Sequence, residues 1–272
     1  MSDKVTLYHH GSSACAAKVR LVLEEKGVPW DSAYVDIMAG EQFAADYLAL
    51  NPKAVVPTLV HGDAVIRESS VICEYVDEAF DGPALMPATP EGRARVRLWT
   101  KAVDEELHPA CSALTYVVSH RHTILRQGAG SFEEFVADAG PDGLAARKLK
   151  WSYIQQGLDA PGAADKVRLY VDYLDRMEAA LEGSEWLVGD AFTLADAAMA
   201  PYLNRLSALA MEPLWEDGSR PQVARWFSKV RARRSFHPAF VKWMPDDLAA
   251  EMRANGEKTW PELARLLGVT VA

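Results

Sequence analysis

The feature that most constrains the fold is a change in hydrophobic pattern near residue 80. Residues 4–80 alternate short strand patterns with helical patterns, whereas the chain after residue 90 shows only helical periodicity. Between them lies DGPALMPATP (81–90), which carries three prolines and no periodicity and therefore predicts a linker. The change predicts an α+β protein, with a sheet-containing domain over 1–82, a linker over 83–90 and an all-helical domain over 91–272.

The first part predicts the element order βαβ, then α, then ββα. A helical stripe along Val19, Val22 and Leu23 ends at Gly27, a common helix stop, and a glycine within the gap 61–63 marks a hairpin. The predicted strands are 5–8, 33–37, 58–60 and 64–66, with a short helix over 41–50 and a packed helix along Ile72, Tyr75, Val76 and Ala79. One small mixed sheet with helices against it fits this order.

The second part predicts a helical bundle. Its three apolar helical faces are Val96, Trp99, Val103 and Leu107; Val167, Val171, Leu174 and Leu181; and Val223, Trp226, Phe227 and Val230. Residues at about 126–165 contain glycines, prolines and a capping box, 131–134, which is typical of an insertion with one or two short helices. Thr193 and Asp196 form a second capping pattern with a structural role, and the tail after Pro245 carries two short amphipathic patterns.

Composition and charge exclude several classes of protein. The net charge of −9 and a pI near 5.3 argue against a general nucleic-acid binder, and the basic run 231–234 lies where cations favour a helix dipole. Cys15, Cys73 and Cys111 are too few and too scattered for a disulfide framework. No apolar run approaches the ~20 residues of a membrane span, and MSDKVTLYHH lacks the apolar core of a signal peptide, so we expect a cytoplasmic protein.

Four stretches, in this order along the chain, carry a resemblance to a known family. They are Leu7-Tyr8 leading through Ser13 to Lys18-Val19-Arg20 and Glu25-Lys26-Gly27; Asn51-Pro52 followed by Val56-Pro57; Glu68-Ser69; and the 193–196 capping box within GDAFTLADAAMAPYL. Together they resemble the cytosolic glutathione S-transferase family. The resemblance implies a thioredoxin-like first domain, glutathione as the co-substrate, a small electrophile as the other substrate and a homodimer.

Within that family, two groups share further features with the chain. ICEYVDEAF, RARVRLWTKAVDEELHPA and the insertion after residue 125 are similar to bacterial members that include the β-etherases, and to the ganglioside-induced differentiation proteins. The serine-bearing turn differs, because the etherases have GPGANS where this chain has GSSACA. A Ser-x-Cys pair in this register is also similar to zeta-type isomerases and the tetrachlorohydroquinone reductive dehalogenase. Conjugation, ether cleavage and dehalogenation therefore all stay open.

The resemblance implies two catalytic candidates within GSSACA. Counted back from Gly27, Ser13 occupies the register of the activating serine of the theta and zeta classes, and Cys15 matches the beta-class cysteine. Ser13 would donate to the thiolate of glutathione, and the choice between the two residues stays open. The structural alternatives are that Ser12 or Ser13 only caps the helix and that Cys15 is a small buried apolar residue.

Stabilising a thiolate at this turn requires no metal or general base. A free thiol has a pKa of ~8.5, and lowering it by about two units takes roughly 3 kcal/mol. A hydroxyl donor supplies ~1.5–3 kcal/mol and a helix N-terminus adds ~0.3–2 kcal/mol. Glutathione is the cofactor that the resemblance implies, and no metal is expected beside it.

The resemblance assigns further residues to glutathione. Glu68 and Ser69 hold its γ-glutamyl end, where a helix N-terminus suits the carboxylate and Glu68 suits the ammonium group. Val56, before a cis proline, presents its backbone to the cysteinyl part. The remaining assignments are Ser12, and Gln42 and Lys53 towards the glycine end.

The chain departs from the family pattern at Phe43, Ala54 and Val55. These departures motivate an alternative function, a non-catalytic scaffold or ligand-binding protein with the same fold.

We expect the electrophile pocket to lie between the domains, lined by the first long helix of the second. Tyr116, His120 and His122 are its candidate lining residues. The pair of histidines lacks Asp, Glu or Cys at ligand spacing, so no metal site is expected there.

Overall fold

One four-stranded mixed sheet organises the first part of the molecule. The computed structural model describes residues 4–128, 130–136 and 143–269. The strands are β1 (Val5–His9), β2 (Asp31–Tyr34), β3 (Thr58–His61) and β4 (Ala64–Arg67), in the spatial order β2-β1-β3-β4. β1 runs parallel to β2 and antiparallel to β3, which in turn runs antiparallel to β4. Together with the helices below, this confirms the predicted α+β architecture.

Helices make up most of the remaining described chain. Those of the first part are α1 (Ala14–Lys26), α2 (Ala45–Leu50) and α3 (Ser69–Ala79). Those that follow are α4 (Pro90–Ala102), α5 (His108–Thr115), α6 (Arg121–Gln127), α7 (Phe132–Val136), α8 (Leu144–Gln156), α9 (Ala163–Leu181), α10 (Leu194–Ala208), α11 (Pro213–Glu216), α12 (Pro221–Ala232), α13 (Phe236–Ala239) and α14 (Asp246–Leu267). Two π-helical turns, Val103–Leu107 and Tyr116–His120, interrupt the run from α4 to α6.

Local signals place several elements as predicted. Ser13 caps α1, and Gly27 ends it in the left-handed conformation with φ of 66°. The hairpin joins β3 to β4, with each strand one residue longer than predicted and Gly62 in the turn at φ of 58°. The capping box of α7 is also present, because Ser131 Oγ accepts from Glu134 N and Glu134 Oε2 accepts from Ser131 N.

The second strand was placed wrongly. We predicted it over 33–37, whereas β2 covers Asp31–Tyr34 and is mostly exposed at the sheet edge. The alternating apolar residues lie instead in the loop that follows, where Val35 joins a small core with Tyr47 and Val56, and Ile37 packs against it. Alternation here reflects loop packing rather than strand pairing.

The two short patterns predicted for the tail form one helix, α14, of 22 residues with Pro261 inside it. Gly256 interrupts the apolar pattern of this helix. A Cβ atom at this position would lie 1.9 Å from the Leu209 carbonyl oxygen, so a larger residue does not fit. The glycine therefore permits a close backbone approach instead of ending the helix.

The contacts between Cα atoms divide the chain into two compact units. Unit 1 comprises the described residues of Met1–Val103, Ala180–Leu203 and Ala224–Pro245, and unit 2 those of Asp104–Ala179, Asn204–Val223 and Asp246–Ala272. The domain boundaries at 82 and 90 stay a prediction, and part of the predicted insertion at 126–165 lies outside the described residues. None of the helices within the described ranges is long and apolar enough to span a bilayer.

Candidate functional site

Three chain segments leave the sheet at the same edge of unit 1. Tyr8 at the end of β1 lies opposite Thr58 at the start of β3, and Thr58 lies opposite Arg67 at the end of β4. The segments 10–13, 55–57 and 68–69, which follow β1, precede β3 and follow β4, therefore meet at this edge. It is named the site edge below. The edge gathers Ser12, Ser13, Val56, Glu68 and Ser69 from three distant parts of the sequence.

Ser13 lies where the site edge meets the N-terminus of α1. Its Oγ accepts a hydrogen bond of 3.2 Å from Ala16 N, so the hydroxyl hydrogen remains available to a further acceptor. The side chain is half-buried, and the first turn of α1 contains no acidic residue. The turn therefore presents a hydroxyl donor and the positive end of a helix dipole together.

The neighbouring Ser12 and Cys15 are also half-buried. Ser12 Oγ lies 3.1 Å from His10 Nδ1, and Cys15 Sγ lies 3.9 Å from the hydroxyl of the buried Tyr202 on α10. Cys15 differs in this respect from Cys73 and Cys111, which are buried at 3% and 4% exposure. Its thiol is thus the most accessible of the three.

The loop before β3 has the backbone form that the resemblance implies. The Val56–Pro57 peptide bond is cis. Val55 O accepts from the Tyr47 hydroxyl at 2.6 Å and from Asn51 Nδ2 at 2.9 Å, which fixes the loop beside the buried Val56. Burial raises the pKa of Tyr47, so its hydroxyl stays a donor at neutral pH. Among the described residues, no backbone carbonyl accepts a hydrogen bond from the Val56 N–H.

Glu68 and Ser69 form the start of α3. Glu68 has φ of 64°, which is uncommon for a residue with a side chain, and Ser69 is buried at 8% exposure. Lys53 Nζ lies 2.7 Å from Glu68 Oε1 with both side chains exposed. An exposed ion pair contributes little stability, so either partner can exchange the other for a ligand group.

Gln42 lies in the 3₁₀ turn Glu41–Phe43 that follows β2. Its Oε1 is buried, and no group among the described residues donates to it. A buried acceptor without a donor is unfavourable, so this oxygen is suited to a donor from a ligand.

Sequence reasoning assigned no role to Arg20 or Trp243. Both contact the 10–13 turn, Arg20 through its guanidinium and Trp243 through its carbonyl group. Arg20 is fully buried, as are its sequence neighbours Val19, Leu21 and Val22 in α1. A charged residue within an apolar run was the available signal, because arginine is rarely buried without dedicated partners.

The predicted residues of the second part lie in unit 2. Tyr116 and His120 share the π-helical turn 116–120 with ring centroids 5.3 Å apart, and such turns are frequent at functional sites. Burial raises the pKa of Tyr116 and lowers that of His120 to about 4, so His120 is neutral at physiological pH. His122 Nε2 instead contacts Thr259 Oγ1 at 3.1 Å. No cluster of three or more metal-ligating side chains occurs in the part of the chain that the structure describes.

Comparison with known proteins gives the geometry a family. The glutathione S-transferase N-terminal domain matches residues 12–79, and the glutathione S-transferase C-terminal domain matches 153–234. The chain is 31% identical to the tetrachloro-p-hydroquinone reductive dehalogenase of Sphingobium chlorophenolicum, over 88% of this chain and 96% of that protein. It is 30% identical to glutathione S-transferase TCHQD of Arabidopsis thaliana, over 85% of this chain and 87% of that protein.

A solved structure supports the same assignment. The β-etherase LigF from Sphingobium sp. strain SYK-6 aligns with a TM-score of 0.76 and 27% identity, over 88% of this chain and 99% of that one. On sequence and structure together, the chain belongs to the glutathione S-transferase family, whose members are glutathione-dependent enzymes.

Proposed function

We propose that this protein binds glutathione at the site edge of unit 1 and uses the Ser13 hydroxyl to stabilise the glutathione thiolate. The observation that carries the proposal is the half-buried Ser13 hydroxyl, whose oxygen caps α1 while its hydrogen is available to donate. A charge-assisted hydrogen bond and the helix N-terminus together favour the thiolate by about 3 kcal/mol, which lowers a thiol pKa by about two units.

The remaining site-edge residues would hold the tripeptide. Ser69, at the N-terminus of α3, suits the γ-glutamyl carboxylate, and Glu68 suits the ammonium group once Lys53 releases it. The Val56 N–H would donate to the cysteinyl part. Gln42 and Lys53 suit the glycine end, because one has an unsatisfied buried oxygen and the other an exposed charge. Ser12 would add a hydroxyl beside Ser13.

The thiolate would attack an electrophilic, largely apolar small molecule. A new carbon–sulfur bond forms while a halide or aryl oxide leaves with the bonding electron pair, so conjugation and ether cleavage share one step. Ether cleavage is supported by the likeness to the β-etherase LigF, and dehalogenation by the likeness to the Sphingobium chlorophenolicum dehalogenase. A panel of aryl halides, β-aryl ethers and glutathionyl-hydroquinones distinguishes these reactions.

The proposed assembly is a cytoplasmic homodimer. Large apolar side chains on β4, α3 and α4 are exposed, with Val65 at 39%, Val71 at 56% and Leu98 at 68%. Exposed apolar side chains of this size are candidates for a protein interface, and three free cysteines suit a reducing compartment. Leu98→Glu should shift the sedimentation coefficient towards the monomer value.

Binding to immobilised glutathione tests the proposed function. We expect retention of the unchanged protein and loss of retention in Glu68→Ala. Glu74→Ala is the matched control, because Glu74 lies on the same helix but pairs with Arg97. No retention of the unchanged protein, and no rise in its melting temperature with glutathione, would favour the scaffold alternative.

A further inference from the structure

Arg20 ties the 10–13 turn to a distant segment of unit 1. Its guanidinium donates from Nη1 to His10 O and from Nη2 to Gly11 O, each at 3.1 Å. Nε donates to Ala239 O at 2.7 Å. The side chain is fully buried, so these carbonyl groups and the arginine depend on one another for hydrogen bonds. Arg20 therefore holds the backbone that leads directly into Ser12 and Ser13.

The backbone of Trp243 packs directly against the same turn at Gly11. A Cβ atom at Gly11 would lie 2.0 Å from the Trp243 carbonyl oxygen, so only glycine permits this approach. The Trp243 ring lies edge-on to His9 with centroids 4.5 Å apart. The backbone of the turn thus has little freedom to move independently of residues 239–243.

His9 is a further hydrogen-bond partner of Arg20, and its ring carries no charge at physiological pH. Its Nδ1 lies 3.2 Å from Arg20 Nη1, and because arginine only donates, Nδ1 accepts. The proton consequently lies on Nε2, 2.8 Å from Ser32 Oγ. Burial, with the Arg20 charge as a smaller cause, lowers the pKa of His9 to about 3, so the ring is neutral at physiological pH.

No carboxylate among the described residues pairs with the Arg20 charge, since none of the ion pairs found there includes it. Burial lowers the pKa of Arg20 to about 9, with Tyr34 opposing, so the group remains protonated at neutral pH. The other titratable groups around it are the neutral His9, His10, which lies 3.9 Å from Asp36, and the exposed Lys242.

We propose that Arg20 is a positioning residue for thiolate formation. It fixes the 10–13 turn through the carbonyl groups of His10 and Gly11, and its buried positive charge, which no described carboxylate neutralises, stabilises an anion at this turn. The inference rests on the proposed function, because the anion is the thiolate of glutathione beside Ser13. A buried charge interacts with a nearby anion more strongly than an exposed one, because water screens it less.

Thiolate titration in the bound complex tests the inference. The ultraviolet absorbance of bound glutathione is followed against pH in the unchanged protein, in Arg20→Met and in Arg20→Lys. We expect the midpoint to rise by about one pH unit in Arg20→Met, an about tenfold loss of thiolate at neutral pH, and to stay within about half a unit in Arg20→Lys. The pH profile of kcat/KM should move with it.

Arg205→Met is the matched control, because Arg205 is a buried arginine of unit 2, at 8% exposure, that donates to Met252 Sδ. Its midpoint should stay unchanged. If Arg20→Met does not fold, Arg20→Gln replaces it as the neutral variant that can still donate to a carbonyl group. Equal midpoints in the neutral and lysine variants would overturn the inference, even if glutathione affinity falls in both. A bound thiol that never ionises in the unchanged protein would overturn the proposed function as well.

Discussion

Two helices of unit 1 begin with a hydroxyl cap, but only one of the caps is completed by a carboxylate. At α10, the Thr193 side chain accepts from Ala195 N, and Asp196 Oδ2 accepts in return from both Thr193 N and Thr193 Oγ1. At α1, Ser13 accepts from Ala16 N, but Ala16 has no carboxylate to return a bond. The first N-terminus is closed by the protein itself, whereas the second is left open.

The difference extends to burial and charge. Asp196 is fully buried and its Oδ1 also accepts from Leu187 N and Trp226 Nε1, so its carboxylate occupies the place that an anion would take. Ser13 is half-buried, and the buried cation Arg20 lies beneath its turn. A closed cap stabilises the fold, while an open cap over a positive charge is suited to an anionic ligand.

Removing the returning carboxylate should break the closed cap with the largest effect. Asp196→Ala leaves buried donors on Leu187, Thr193 and Trp226 without acceptors, so we expect the free energy of unfolding to fall by about 4 kcal/mol. Urea denaturation measures it. Asp190→Ala, at an exposed position nearby, should cost less than about 0.5 kcal/mol. A loss as small as the control's would show that the network contributes little.

Acid should destabilise the fold through His9, which accepts a hydrogen bond from Arg20. The pKa of His9 is about 3 in the folded protein against 6.5 ordinarily, so between these values the unfolded chain binds more protons. The contribution of neutral His9 to stability is therefore complete above pH 6.5, and it falls by about 1.4 kcal/mol for each pH unit between 6.5 and about 3. His9→Gln, which can accept from Arg20 and donate to Ser32, should flatten this slope in urea denaturation. The slope in His120→Gln is the comparison in unit 2, because the pKa of His120 is also lowered, to about 4. An unchanged slope in His9→Gln would contradict the assignment.

Ser13→Ala sharpens the comparison because it separates capping from chemistry. We expect the free energy of unfolding to fall by only about 1 kcal/mol, as for an ordinary cap. The kcat/KM for an aryl halide should fall about 10- to 100-fold, because the thiolate loses a charge-assisted hydrogen bond. Thr89→Ala is the matched control, because Thr89 caps α4 by accepting from Gly92 N and has no part in the site edge. The proposal fails if Ser13→Ala reduces kcat/KM no more than Thr89→Ala does.

Cys15→Ser should have the smallest effect on conjugation. The Ser13 hydroxyl remains, so kcat/KM for an aryl halide should stay within about twofold, while reductive thiol chemistry should be lost. Both activities are measured on the same preparation. Equal loss of both, or of neither, would remove the dehalogenase interpretation.

Local sequence signals predicted much of the fold. Gly27 ends α1, and the glycine-containing gap marks the hairpin, because each imposes a backbone conformation that few other residues adopt. The second strand was placed wrongly, and the tail forms one helix where the sequence shows two short amphipathic patterns. The two differences have a common reason. Val35 and Ile37 pack against the loop around Val56, and Gly256 packs against Leu209, so long-range packing decided both.

The candidate site divides in the same way. Ser13, Val56 and Glu68 were assigned through resemblance, and strand pairing brings their segments to one edge. The contact between Arg20 and Ala239 joins residues 219 positions apart, and no periodicity or spacing indicates such a pair. A buried charge predicts that partners exist but does not identify them.

The acceptor that Ala239 offers to Arg20 has a consequence for biosynthesis. The whole sheet and α1 are synthesised long before residues 239–243. That late segment contacts Arg20 and the 10–13 turn. The nascent chain therefore lacks the contact of Arg20 with Ala239 and that of Gly11 with Trp243 until almost all of the polypeptide has emerged. The proposed binding of glutathione should therefore begin late in translation, and ribosome-stalled chains that end before residue 239 should bind it weakly.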